Sequence, residues 1–160
     1  MDQPEQVVIR RATPADAETI RAITDAAYTK YVPRMGRKPQ PMTVDYHQIL
    51  AEHPVWLLCL GDQPAGVLVL MHEPHMLLIY SVAISPPYQK HGFGRRLLAW
   101  AEQEAQQAGY QHIRLFTNAL MEENIALYKR LGYTETRREP FHELTLVHMT
   151  KELGSGGGRA

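Results

Sequence analysis

One run of sixteen residues, Val82-Ala83-Ile84-Ser85-Pro86-Pro87-Tyr88-Gln89-Lys90-His91-Gly92-Phe93-Gly94-Arg95-Arg96-Leu97, constrains the fold of this chain more than any other. An apolar strand is stopped by two prolines, and a turn bearing Gly92 and Gly94 opens at once into an amphipathic helix. Such a turn aims several backbone N–H groups at one spot, at the positive end of a helix dipole. The chemistry it suits is the binding of a phosphate-like anion. A Walker loop would carry a lysine and a hydroxyl after its second glycine, and both are missing, which disfavours an ordinary nucleotide-binding domain. A dinucleotide fold would need an acidic residue closing a second parallel strand, and none stands at the required place.

Composition narrows the setting. The chain has 160 residues, enough for a single domain that buries roughly 70% of its unfolded surface without a metal or disulfide. Its 17 Lys and Arg balance 17 Asp and Glu, so nothing marks a nucleic-acid scaffold or a binder of acidic membranes. The one cysteine, Cys59, sits in the apolar run Val55–Leu60 and reads as a buried, inert thiol. Without a disulfide framework the chain fits a reducing cytoplasm. The start, Met1 to Gln6, is polar and lacks an apolar signal core, and no apolar stretch approaches ~18 residues. The expectation is a soluble cytoplasmic domain over residues 1–153, followed by a flexible glycine-rich tail, 154–160.

Periodicity places the elements. Val7–Arg11 reads as a first strand, and Thr13-Pro14-Ala15-Asp16 as a capping box that opens a helix with Ile20, Ile23, Ala27 and Tyr31 on one stripe. Val32–Met42 holds three prolines, a glycine and the cations Arg34, Arg37 and Lys38 with no acid, and is expected to be a loop without regular structure. A short helix from Thr43 carries Tyr46, Ile49, Leu50 and His53 on one face. Val55–Leu60 and Ala65–Met71 form a hairpin, and Met76–Ile84 is apolar enough for a central strand. The helix after Gly92 turns Leu97, Leu98, Ala101, Ala105 and Ala108 inward and stops at Gly109. Strand Ile113–Thr117, helix Glu122–Leu131 and strands Thr134–Arg138 and Glu143–Met149 follow, with Pro140 in the last turn. The fold class is α/β (α+β), a mixed sheet with helices on its faces.

A second constellation lies downstream: Asn118, then Asn124-x-x-x-Tyr128-x-x-Leu131-Gly132-Tyr133. Asn124 and Tyr128 are four apart, so an amide and a phenol share one helix face and can line a ligand channel. Each has a plain structural alternative, a helix cap for Asn124 and a half-buried core aromatic for Tyr128. His72-x-x-His75 reads as two solvated histidines, because two ligands without partner cysteines do not make a metal site, and no metal is expected.

Together the two segments resemble the GCN5-related N-acetyltransferase (GNAT) superfamily, over nearly the whole chain from Val7 to Leu153. The resemblance implies a twisted, mostly antiparallel sheet of six to seven strands with about four helices, whose fourth and fifth strands splay apart to admit acetyl-CoA. It implies that Val82, Ala83 and Ile84 line the pantetheine arm through their backbone. The N–H groups of Gln89, Lys90, His91, Gly92, Phe93, Gly94 and Arg95 would hold the pyrophosphate. Asn118 and Asn124 would contact the CoA arm, and Tyr128 would stand near the thioester sulfur as the catalytic proton donor. The Val82 N–H is the natural oxyanion donor.

On the acceptor side the resemblance makes the segment Tyr31–Met42 overhang the cleft. Tyr31, Arg34 and Tyr80 are its substrate-binding candidates, and arginines there suit a carboxylate or phosphate on the acceptor. No Asp, Glu or His lies in Met76–Ile84, so no general base is assigned; Glu73 and His75 lie just before that strand. The expected activity is direct transfer of acetyl from acetyl-CoA to the primary amine of a small molecule. A peptide or protein N-terminus is the alternative acceptor, and a CoA-binding sensor without turnover the alternative class. The resemblance also implies a capacity to form homodimers.

Overall fold

The computed structural model describes residues 6–154. The expected tail beyond Gly154 and the polar start before Gln6 lie outside the described residues. Seven strands form one sheet: β1 (Val7–Arg11), β2 (Val55–Leu60), β3 (Gln63–His72), β4 (Leu77–Ile84), β5 (His112–Asn118), β6 (Thr134–Phe141) and β7 (Leu144–Glu152). Their order is β1-β2-β3-β4-β5-β7-β6. Every neighbouring pair is antiparallel except β4 with β5. The helices are α1 (Ala17–Tyr28), α2 (Val32–Met35), α3 (Tyr46–Glu52), α4 (Phe93–Gln107) and α5 (Glu122–Arg130). This is the mixed, mostly antiparallel sheet that the resemblance implies.

The two faces carry two cores. On one, α4 lays Leu97, Leu98, Ala101 and Ala105 against Leu68, Leu77, Ile113 and Met149. The contact is close enough that a Cβ on Gly66 of β3 would sit 2.7 Å from Ile84 Cδ1 and 3.2 Å from Leu97 Cδ1. On the other face, Ile20, Ile23 and Ala27 of α1 and Tyr46 and Ile49 of α3 cover Val55, Leu57, Val67 and Val69. Cys59 belongs to that second core and is a free, buried thiol. The α1 stripe is buried as its spacing predicts, although Tyr31 lies past the helix end in a 3-10 turn.

Four expectations need correction. Val32–Met42 is not irregular: α2 starts with Pro33 in its first turn, where a missing N–H costs nothing, and ends on left-handed Gly36 at φ 75°. Gln40–Met42 adds a 3-10 turn. The helix expected from Thr43 begins at Tyr46, because Asp45 caps it by accepting the His47 N–H at 2.9 Å. Pro140 lies inside β6 rather than in the turn; β6 is an edge strand, and an edge tolerates a residue without N–H. Ala108 is exposed at the end of α4 instead of facing inward.

The entry to α1 offers a test of the capping reading. The Asp16 carboxylate accepts the Thr13 N–H at 2.8 Å and both guanidinium nitrogens of Arg10 at 3.0 Å. The Arg10 hydrogen bond is the main reason that the Asp16 carboxyl lies below its ordinary value. Asp16→Ala should cost about 1 kcal/mol in denaturant unfolding at neutral pH. A depressed carboxyl contributes stability above its unfolded pKa, so the deficit should shrink as pH falls below 3.8.

Candidate active site

The parallel pair β4–β5 is short. Leu77, Leu78 and Ile79 face Ile113, Arg114 and Leu115, and pairing stops there while β4 runs on to Ile84 and β5 to Asn118. The register between β3 and β4 slips at the same point: Val69 pairs Ser81 and Leu70 pairs Ile79, leaving Tyr80 unmatched. A bulge of this kind bends a strand and re-aims its side chains. The two strands therefore diverge from Tyr80 onward and open a gap in the sheet.

Backbone orientation beyond the bulge follows from two hydrogen bonds. The Tyr28 hydroxyl donates to the Val82 carbonyl at 3.2 Å, and Gln89 Nε2 donates to the Ile84 carbonyl at 2.9 Å. Ser85 N–H instead turns to Ala65 of β3. Since the N–H and C=O of a strand residue point to the same edge, Val82 and Ile84 both present their amides to the gap.

One end of the gap is the turn into α4. Tyr88 N–H is bonded to the Ser85 carbonyl and Gln89 N–H to the Pro86 carbonyl. The first amide of the turn to find an acceptor after them is Arg96, bonded to Gly92. Among the described residues the N–H groups of residues 90–95 have no partner, and Gly92 at φ 83° and Lys90 at φ 68° shape the turn that gathers them. The Gln89 N–H is thus used within the turn, and its side chain ties the turn to β4. A Cβ on Gly94 would meet nothing nearer than Ile84 Cγ1 at 4.0 Å, so the space beside these amides is empty of protein.

This turn lines a cleft enclosing about 1170 Å³, open solvent included. Val82, Ala83, Ile84, Gln89, Lys90 and Gly92 line it, as do Phe93, Gly94, Arg95, Asn124 and Tyr128. His91 does not; its ring lies 5.9 Å from that of Phe93. Tyr28, Lys30 and Tyr31 of the α1 end also line the cleft. Tyr31 therefore sits on this side rather than with the substrate candidates, 6% exposed, its phenol pushed up first by burial and then by Glu123.

A second pocket of about 740 Å³, open solvent included, opens on the other side of the gap. Tyr80, Phe116, Phe141, Leu144 and Leu146 give it an apolar, aromatic wall, and Asn118 lies here rather than in the first cleft. Asn118 Oδ1 accepts the Leu120 N–H at 2.9 Å, so the amide shapes the turn into α5. Burial pushes the Tyr80 phenol up to about 12, with Tyr28 adding to it. The segment after α2 overhangs the pocket with Arg37, Lys38, Pro39, Gln40 and Pro41. Arg34 does not reach it: its guanidinium is spent on Glu123 at 2.9 Å and on the Leu120 carbonyl at 3.2 Å. No Asp, Glu or His lines this pocket.

Cleft and pocket share four lining residues: Tyr28, Val82, Asn124 and Tyr128. They form the boundary across which a group could pass from one ligand to another. The Tyr128 hydroxyl has no hydrogen-bond partner among the described residues, and its ring packs edge-on at 6.0 Å from Tyr133. Burial first, then Tyr28 and Tyr31, hold its pKa far above that of an ordinary phenol, so it stays protonated and keeps a proton to donate.

The sequence model of the Acetyltransferase (GNAT) family matches residues 18–133, which include both the α4 turn and the Asn124–Tyr128 face. The chain belongs to the GNAT family. Among GNAT relatives, it is 29% identical over 98 residues to the uncharacterized N-acetyltransferase YvbK of Bacillus subtilis, a stretch covering 61% of this chain and 62% of that protein. It is 38% identical over 58 residues to the aminoalkylphosphonate N-acetyltransferase of Salmonella typhimurium, covering 36% and 38% respectively. The chain thus spans less than two-thirds of the length of these curated relatives. The PaiA N-acetyltransferase of Thermoplasma acidophilum in complex with coenzyme A shares the GNAT fold with a TM-score of 0.76 at 15% identity, over 92% of this chain and 99% of that one. At that identity the likeness is one of fold.

Two features of this GNAT site escape a reading of the sequence. Tyr28 stands on the boundary, and its signal is the i+4 series Ile20, Thr24, Tyr28 along α1, which the Ala27–Tyr31 stripe obscured. The Tyr80 bulge has no local signal, because it is defined by the register of β3. Among the described residues no group of three or more His, Cys, Asp or Glu could hold a metal ion, and no helix is long and apolar enough to cross a membrane. His72 Nδ1 lies 2.9 Å from the Tyr110 hydroxyl, a contact that fixes a turn.

Proposed function

We propose that this chain transfers the acetyl group of acetyl-CoA to the primary amine of a small molecule, by direct attack in a ternary complex. The observation that carries the reading is the shared boundary of Tyr28, Val82, Asn124 and Tyr128, with partnerless amides at one end and an apolar pocket at the other. The cleft fits the co-substrate: six free N–H groups at a helix start suit a diphosphate, and Gly94 leaves room for it. Acetyl-CoA would supply the acetyl group as a thioester.

The chain's own groups supply the rest. The Val82 N–H faces the gap where negative charge would develop on the carbonyl oxygen. Tyr128 donates a hydrogen bond to the departing sulfur. Its raised pKa makes complete proton transfer uphill, so the proton that sulfur finally takes originates on the attacking nitrogen, and the Tyr128 hydrogen bond stabilises the thiolate meanwhile. With no carboxylate or imidazole lining the pocket, the amine must lose its first proton to water.

That last step predicts the pH profile. The acidic limb of kcat/KM should follow the pKa of the free acceptor amine and move with it when a less basic acceptor is used. Rates measured with two amines that differ in basicity check this. A limb fixed near pH 6–7 for both would mean an enzyme base acts instead.

The assignment itself is tested by calorimetry with acetyl-CoA and AMP, followed by thiol release with a panel of amines and one peptide. Tight acetyl-CoA binding with amine-dependent thiol release is expected. Binding no better than that of AMP contradicts the reading, and tight binding without release from any member favours a sensor. Preference for the peptide would move the acceptor to a protein N-terminus.

A further inference from the structure

Resting on the transfer reading above, the geometry points to the acceptor's class: a small primary amine with an apolar or aromatic body and an anionic group of its own, carboxylate or phosphonate. The charged residues lining the acceptor pocket are Arg37 and Lys38, and both are cations. Neither makes an ion pair or a side-chain hydrogen bond among the described residues, whereas the neighbouring Arg34 is neutralised by Glu123. Their segment is held in place from both ends. Gly36 turns the chain at φ 75°, and Pro39 and Pro41 are buried. Tyr46 donates to the Pro41 carbonyl at 2.6 Å, and Arg21 binds the carbonyls of Met42 and Val44. Two exposed, unneutralised cations on a strap whose backbone is anchored, beside aromatic walls, suit an anion.

Charge then sorts the acceptors. A polyamine or other polycation would meet two like charges and no carboxylate. An uncharged hydrophobic amine would fill the aromatic wall but leave both cations unused. An amine that carries an anion satisfies wall and strap together. The nearby cations also favour the neutral form of the amine, the form that must attack.

The test is a matched panel: phenylalanine, its phosphonate analogue and 4-(aminomethyl)benzoate against phenethylamine, benzylamine and spermidine. Binding is measured by calorimetry with and without CoA, so it does not depend on turnover, and thiol release is read in parallel with acetyl-CoA. At least one anionic amine should bind about ten- to a hundredfold more tightly than its uncharged match. In the double variant R37Q/K38Q that ratio should fall below about threefold, with an unchanged urea midpoint confirming the fold. The proposal is overturned if an uncharged amine or spermidine binds best, or if the ratio survives the double substitution. Arg37- and Lys38-dependent binding without thiol release would uphold the ligand class and reject the transfer reading.

Discussion

Tyr128→Phe is expected to lower kcat by about a hundredfold while changing the dissociation constant of acetyl-CoA by less than about threefold. The phenol stands where the cofactor cleft and the acceptor pocket meet, and its hydroxyl bonds to nothing else among the described residues. Removing that oxygen therefore leaves no partner stranded, and the phenyl ring keeps its packing on Tyr133. The loss should fall on the step in which sulfur departs, and not on binding or folding. Because burial keeps the phenol protonated, the wild-type rate should show no downward limb assignable to Tyr128 below pH 10. Steady-state rates and a cofactor titration on both proteins decide the matter, and an unchanged kcat would remove Tyr128 from the chemistry.

Gly94→Val should separate stability from binding. The backbone at Gly94 is ordinary right-handed helix, and an added Cβ meets nothing closer than 4.0 Å, so the folded protein accommodates it. Valine is also a somewhat better helix residue than glycine. The melting temperature should hold or rise slightly. The new methyl groups, however, occupy space beside the free amides of the turn, where the diphosphate would lie. Overpacking of this kind costs about 1–3 kcal/mol, or roughly 5- to 150-fold in acetyl-CoA affinity. Gly92 offers no such separation, because its φ of 83° would strain any side chain there. A Gly94→Val protein that binds acetyl-CoA like the parent would place the phosphates elsewhere.

The parts of this fold that were legible are those fixed by neighbours in sequence. The strand, the proline stop and the glycine turn before α4 are one continuous run, and the Asn124–Tyr128 pair needs only helical spacing. Other features depend on distant partners. The Tyr80 bulge exists through its register with Val69 and Leu70. Arg34 is withdrawn from the acceptor pocket by Glu123, a partner that lies 89 residues further along the chain. The tight turn between β6 and β7 rests on His142 and Glu143 at φ 52° and 68°, residues that carry no turn signal, so Pro140 looked like the better marker. In α2 the proline and glycine look like breakers in sequence, although at the first turn and just past the end they are boundary residues. The gap between β4 and β5 is implied by the family resemblance and not by periodicity, which gives two apolar strands and no hint that they part.

The whole account rests on where a diphosphate-bearing thioester docks, and backbone amide resonances followed through an acetyl-CoA titration report that residue by residue. The largest shifts should fall on the amides of Lys90 through Arg95, with Val82 and Ile84 moving beside them and the Gln89 amide much less. A saturating titration that leaves those six amides in place would contradict it.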